Sequence, residues 1–249
     1  MTWVRRRLRD RSWARAVALR LHHITRSATS RADDTSDGVL FLTYHDMRAD
    51  EGPRFRRQLD MLRRFGDFAS VSEALAHLAD GVGRRVCLTF DDGYMGAFNH
   101  AVPILAGDAI PATFFLVPRW LDEGRPGIIG WEECRRLKAA GMEIGSHSLT
   151  HRRLIDLAST EVMQELAGSR ARIEAETGGP CWHFACPWGQ PNVDYHPTRE
   201  PGIARLAGYR SFLTTVQRRA WTGANCWSLP RVRMEPGWGA AELRYAFSR

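Results

Sequence analysis

The chain has 249 residues, 44% hydrophobic and 25% charged, proportions of an ordinary globular protein that exclude a disordered, collagen-like or disulfide-scaffold chain. That length suits one large domain or two small ones, with enough core to need no metal or disulfide staple. The net charge of +7 is concentrated in residues 1–31, where nine arginines (Arg5, Arg6, Arg7, Arg9, Arg11, Arg15, Arg20, Arg26 and Arg31) face Asp10 alone. The body is close to neutral, and no nucleic-acid motif accompanies the basic arm, so nucleic acid is not expected as a partner.

Read as a helix, the arm places Trp13, Val17, Leu21 and Ile24 on one face, with arginines over much of the rest. That pattern suits contact with an anionic membrane surface or a partner, or a terminal helix packed on the domain. Arg15 and Arg20 interrupt its only apolar run, unlike a secretory signal. Nowhere does an uncharged stretch approach the roughly 20 apolar residues of a membrane span. The five cysteines (Cys87, Cys134, Cys181, Cys186 and Cys226) include no Cys-x-x-Cys and read as free thiols in a reducing compartment. The expected location is the cytoplasm, peripheral at the inner membrane face. A polar stretch at 26–38 reads as a linker, dividing the chain into an arm (1–37) and a domain (38–249).

From residue 39 onward, apolar β-rich runs alternate with amphipathic helical patterns. Strands are predicted at 39–44, 68–71, 86–90, 112–117, 142–146, 182–187, 212–215 and 228–234, and helices at 55–65, 73–79, 95–106, 131–140, 160–176 and 199–207. Gly66, Gly107, Gly141, Gly178 and Gly208 stand just past helix ends, where a left-handed cap is wanted. This alternation builds a parallel sheet with crossover helices, and seven or eight units point to a single distorted (β/α) barrel.

Functional residues of such barrels gather at the C-terminal ends of the strands. Strand 86–90 runs into Asp91-Asp92-Gly93-Tyr94, strand 142–146 into His147-Ser148-Leu149-Thr150-His151, strand 182–187 into Pro187-Trp188-Gly189, and strand 39–44 into His45-Asp46. Adjacent carboxylates disfavour joint ionisation unless a cation relieves them. Two imidazoles four residues apart with one carboxylate make a three-ligand catalytic metal site, which activates water as a nucleophile at neutral pH. The second carboxylate is then free to act as a base.

In order and spacing, Thr89-Phe90-Asp91-Asp92-Gly93-Tyr94, His147-Ser148-Leu149-Thr150-His151 and Phe184-Ala185-Cys186-Pro187-Trp188-Gly189 resemble the first three motifs of the polysaccharide deacetylase family, which carries the NodB homology domain and is also called carbohydrate esterase family 4. The resemblance spans about residues 38–235. It implies a NodB-type distorted barrel and metal-dependent removal of an acetyl group from an N-acetylated sugar in a bacterial surface glycan or its precursor. It further implies Asp91 as catalytic base, and Asp92, His147 and His151 as ligands of a divalent metal, with zinc the expected ion. Trp188, with Pro187 and Tyr94, falls at the oxyanion and substrate side.

Three departures matter. The arginine common in the third motif is replaced by Ala185, the later Leu-x-His motif is missing, and the first motif reads Asp-Asp-Gly-Tyr. The Phe-Ala-x-Pro-Trp-Gly form looks like a subgroup in which a Leu-Pro-Arg strand recurs, here Leu229-Pro230-Arg231. Arg231 is therefore expected to orient Asp91, and His45 to serve as the acid for the leaving amine or as a structural histidine. A non-sugar amide hydrolase and a glycan-binding pseudoenzyme are the alternatives. Trp120, Trp131, Trp188 and Trp227 are each a candidate sugar platform or a core residue.

Overall fold

The computed structural model describes residues 37–247; the basic arm lies outside them. Strand β1 (Gly38–Tyr44) is buried along its whole length, as a strand covered on both faces must be. It pairs in parallel with β3 (Arg84–Asp91), which pairs in parallel with both β2 (Asp67–Ala69) and β4 (Thr113–Leu116). The sheet continues through β5 (Glu143–Ser146), β6 (His183–Ala185) and β7 (Ser211–Leu213). On the other side of β1 lie β8 (Ala220–Trp221), antiparallel, and β9 (Val232–Arg233), parallel. A bridge between Leu213 and Leu229 carries the last segment from β7 towards β1. The result is a curled mixed sheet, a distorted barrel closed by far fewer pairs than a full strand would supply.

Predicted and observed strands agree in place and differ in length. The 228–234 run contributes only Val232–Arg233, and β8 is too short for any periodicity to announce. The predicted 95–106 helix is two, Met95–His100 and Val102–Gly107, broken where Pro103 enters the first turn of the second. Of the five predicted cap glycines, Gly141, Gly178 and Gly208 take positive φ, whereas near Gly107 it is Ala109 that does so. Gly66 serves a close approach instead, because a Cβ there would overlap the backbone of Arg84.

Because side chains alternate along a strand, odd-numbered positions fill the barrel interior. Val39, Phe41, Cys87, Phe115, Ala185 and Leu213 form one buried cluster, while their even-numbered neighbours pack against the surrounding helices. Gly145 makes room in this interior, since a Cβ would run into the Phe115 ring.

Below the apolar layer, at the strands' N-terminal ends, the same parity gathers Thr113, Glu143, His183 and Ser211 into a polar plug. Glu143 accepts hydrogen bonds from Thr113 Oγ1 (2.7 Å), Val71 N (3.0 Å) and the Ser72 hydroxyl, so it caps helix α2 (Val71–Asp80; α1 is Gly52–Arg63). His183 bridges Ser72 (2.8 Å) and Ser211 (2.9 Å), the satisfied buried histidine its strand position suggests.

Burial alone would raise the Glu143 carboxyl, but its bonds to His183, Ser72 and Thr113 lower it to about 2. A depressed folded-state pKa contributes stability above the unfolded value near 4.3, which is lost as pH falls towards 2. Glu143→Gln is therefore expected to cost about 3 kcal/mol at pH 7. Urea unfolding checks this: the gap between wild type and variant should shrink from pH 4.5 to 2, and a constant gap would contradict the linkage.

Candidate active site

The upper end of the interior gathers the candidate site residues. Asp91 is the last residue of β3 and points inward. Arg231 lies beneath it, fully buried, and grips it in a fork: Nη1 to Oδ1 at 2.6 Å and Nη2 to Oδ2 at 2.9 Å. The guanidinium is fixed by three further acceptors, Thr214 O (3.0 Å), Thr89 Oγ1 (3.1 Å) and Thr43 Oγ1 (3.3 Å), and it stacks over Phe115. Thr43 in turn donates to Asp91 Oδ2 at 3.2 Å. Burial pushes the Asp91 carboxyl up, but the charge of Arg231 and its hydrogen bonds, with His147 and His45, hold it well below the usual range. Asp91 is thus an ionised carboxylate of fixed orientation.

Asp92 turns the other way because its backbone is left-handed, at φ 72°. Ser148, His151 and Trp188 share that conformation at φ 64°, 63° and 62°. Such a backbone costs roughly 1–2 kcal/mol per non-glycine residue, and strain of this kind clusters at functional sites. The 147–151 loop is pinned by Glu165, which accepts from Thr150 N (2.8 Å) and Thr150 Oγ1 (2.5 Å), and by Ser148 Oγ on His151 N (2.9 Å).

His147 donates from Nδ1 to Ala185 O at 2.7 Å, which leaves Nε2 with its lone pair, 3.6 Å from Asp92 Oδ1. Burial is the main reason its pKa falls to about 4, so the ring is neutral. His151 Nε2 lies 3.3 Å from the same Asp92 oxygen. Each of the three residues offers one ligand atom, all within 4.8 Å of one another. Asp92 Oδ1 is buried and, among the described residues, no partner reaches it with full hydrogen-bond geometry, the condition a cation would relieve. Two imidazoles and a carboxylate suit zinc or a similar divalent ion, so these residues fit a metal.

The remaining candidates surround this pair of groups. His45 is half-buried and lies within electrostatic reach of Asp91. Tyr94 is half-buried beside Asp92; burial, then the charges of Asp92 and Asp46, raise its pKa. Pro187 is buried and Trp188 is 54% exposed, its ring 5.1 Å from His151. The Trp188 carbonyl accepts from Thr215 Oγ1 at 2.6 Å, whereas its N–H has no acceptor among the described residues. Of the four tryptophan candidates, Trp120 and Trp188 flank His151. Trp131 instead bonds Asp122 and lies under Arg172, and Trp227 packs on the core. Thr43 and Thr89 were not anticipated, although their shared parity with Asp91 on β1 and β3 was there to be read.

A family model described as "Polysaccharide deacetylase" matches residues 79–210. The chain is 35% identical over 139 residues to a "Chitooligosaccharide deacetylase" of Sinorhizobium fredii, covering 55% of this chain and 60% of that one. It thus spans about half to three-fifths of the length of the curated relatives it matches. Among solved structures, the Streptococcus pyogenes deacetylase PplD in complex with acetate superposes with a TM-score of 0.74 at 22% identity, over 84% of this chain and 98% of that one. IcaB from Ammonifex degensii does so with a TM-score of 0.72 at 24% identity, over 85% and 98%. At such identities these two likenesses concern the fold.

Proposed function

This chain belongs to the polysaccharide deacetylase family, and from that premise we propose that it is a zinc-dependent hydrolase removing the acetyl group from an N-acetylated amino sugar of a surface glycan or its precursor. The observation that carries the reading is the meeting of a clamped, ionised Asp91 with the Asp92–His147–His151 donor set, Asp91 Oδ2 standing 3.9 Å from His147 Nε2. Zinc, when bound, polarises the acetyl carbonyl and lowers the pKa of water.

The chain's own groups do the rest. Asp91 takes a proton from the attacking water as the new C–O bond forms, and Arg231 keeps its carboxylate ionised and aimed. The free Trp188 N–H donates to the oxygen on which charge develops. His45 returns a proton to the nitrogen as the C–N bond breaks, releasing the amine and acetate. The Arg231–Asp91 fork supports the catalytic reading over a binding-only role, because it supplies an arginine contact to the base that the third motif lacks.

The test is acetate release by zinc-loaded protein from N-acetylhexosamine oligomers, nucleotide sugars and lipid-linked sugars. Release is expected, should stop on chelation and return with zinc. Silence across the panel with zinc bound would move the site to a non-sugar amide or a binding role. In the same assay His45→Ala should lower kcat about a hundredfold and alter the alkaline limb; an unchanged pH–rate profile would end its acid role.

A further inference from the structure

His151 is enclosed by two aromatic rings, Trp120 at 4.9 Å and Trp188 at 5.1 Å. Each ring in turn lies under a guanidinium, Arg125 at 4.4 Å from the Trp120 centroid and Arg153 at 5.6 Å from that of Trp188. Both arginines are exposed. An exposed stack of this kind is worth only about 0.5–1 kcal/mol, little reason in itself to hold two long side chains beside a reaction centre.

Their hydrogen-bonding capacity is largely unspent. Arg125 has no ion-pair partner among the described residues. Arg153 meets one acid, Asp194, whose buried Oδ1 lies 3.3 Å from Nε and whose Oδ2 accepts from Gln190 N at 2.9 Å. Among the described residues, the terminal nitrogens of Arg153 have no acceptor. The acids around this end are mostly engaged: Asp91 by Arg231, Asp122 by Arg172 and Trp131, and Glu165 by Thr150. The exposed carboxylates here include Asp46, near Tyr94, and Glu123 and Asp156, neither of which forms an ion pair with Arg125 or Arg153 among the described residues.

Two guanidinium groups with free donors thus bracket the metal-site histidine. A guanidinium laid on an aromatic face keeps its fork of N–H groups pointing outward in its own plane, free for an anion's oxygens. We propose that the substrate carries an anionic group, a phosphate ester or a carboxylate, next to the acetylated amino sugar, and that Arg125 and Arg153 recognise it. This rests on the deacetylase reading for the position of the sugar.

The test reads binding apart from turnover. Zinc-loaded Asp91→Asn protein is titrated by calorimetry at low salt with N-acetylglucosamine, N-acetylglucosamine 1-phosphate and a glucuronate-linked N-acetylglucosamine disaccharide. At least one anionic probe should bind about tenfold more tightly than the neutral sugar, and which one does so names the anion. Arg125→Gln and Arg153→Gln should each remove part of the preference and the double substitution all of it, with neutral-sugar affinity unchanged within about twofold; 0.5 M salt should also erode it. Equal affinities in the parent protein would overturn the proposal. So would a preference surviving the double substitution, since the anion would then be held by the metal. Wild-type protein whose site selects the anion but releases no acetate would sink the deacetylase reading and leave only the anion recognition by Arg125 and Arg153 standing.

Discussion

Asp91→Asn is expected to keep its zinc and to lose acetate release by a factor of about 10²–10⁴, the contribution of a positioned general base. Asp92, His147 and His151 offer the candidate ligand atoms, so on this reading the change should leave metal content at the wild-type ratio. It will not leave stability untouched. Arg231 is fully buried, and breaking a buried pair by neutralising one partner costs about 3–5 kcal/mol. The assay therefore belongs well below the variant's melting temperature, with circular dichroism confirming the fold and metal analysis run on the same sample. Loss of zinc together with activity would assign Asp91 to the ligand set, and retained activity would remove it as base.

The second large effect is expected at Arg231. Arg231→Met preserves length and removes the fork that holds both Asp91 oxygens. Burial, no longer opposed by the guanidinium, then favours the protonated carboxyl, and its orientation rests on the single hydrogen bond from Thr43. Stability should fall by about 3–5 kcal/mol. At a temperature where the variant is folded, kcat should drop about a hundredfold with KM within about twofold, because Arg231 lies under the base in the barrel core. Arg231→Lys should recover part of kcat, since one ammonium group replaces one arm of a two-armed contact. An unchanged kcat in the Met variant, with the loss confined to stability, would leave Arg231 a structural residue.

What the sequence by itself determined is what the chain holds close together. Asp91 and Asp92 are adjacent, and His147 and His151 lie four apart on one loop, so spacing alone announced a metal-site pattern. The alternation of apolar runs with helical patterns announced the barrel, because hydrophobic periodicity is a local signal. The same locality explains the misses: two-residue strands such as Ala220–Trp221 and Val232–Arg233 are below any period, and a proline divided one expected helix.

Tertiary structure decided everything that crosses the barrel. Arg231 reaches Asp91 from 140 positions away; its Leu-Pro-Arg surroundings suggested the contact through resemblance, whereas the fork, Thr214, Thr89 and Thr43 follow from strand register and inward parity. Register likewise brought Glu143 and His183 into one plug from different strands, and the packing of short helices set Trp120 against His151 while sending Trp131 to Asp122. No spacing within a segment encodes these meetings. They depend on which strands are neighbours and on which residues of each face inward, both fixed only when the sheet curls into its ring.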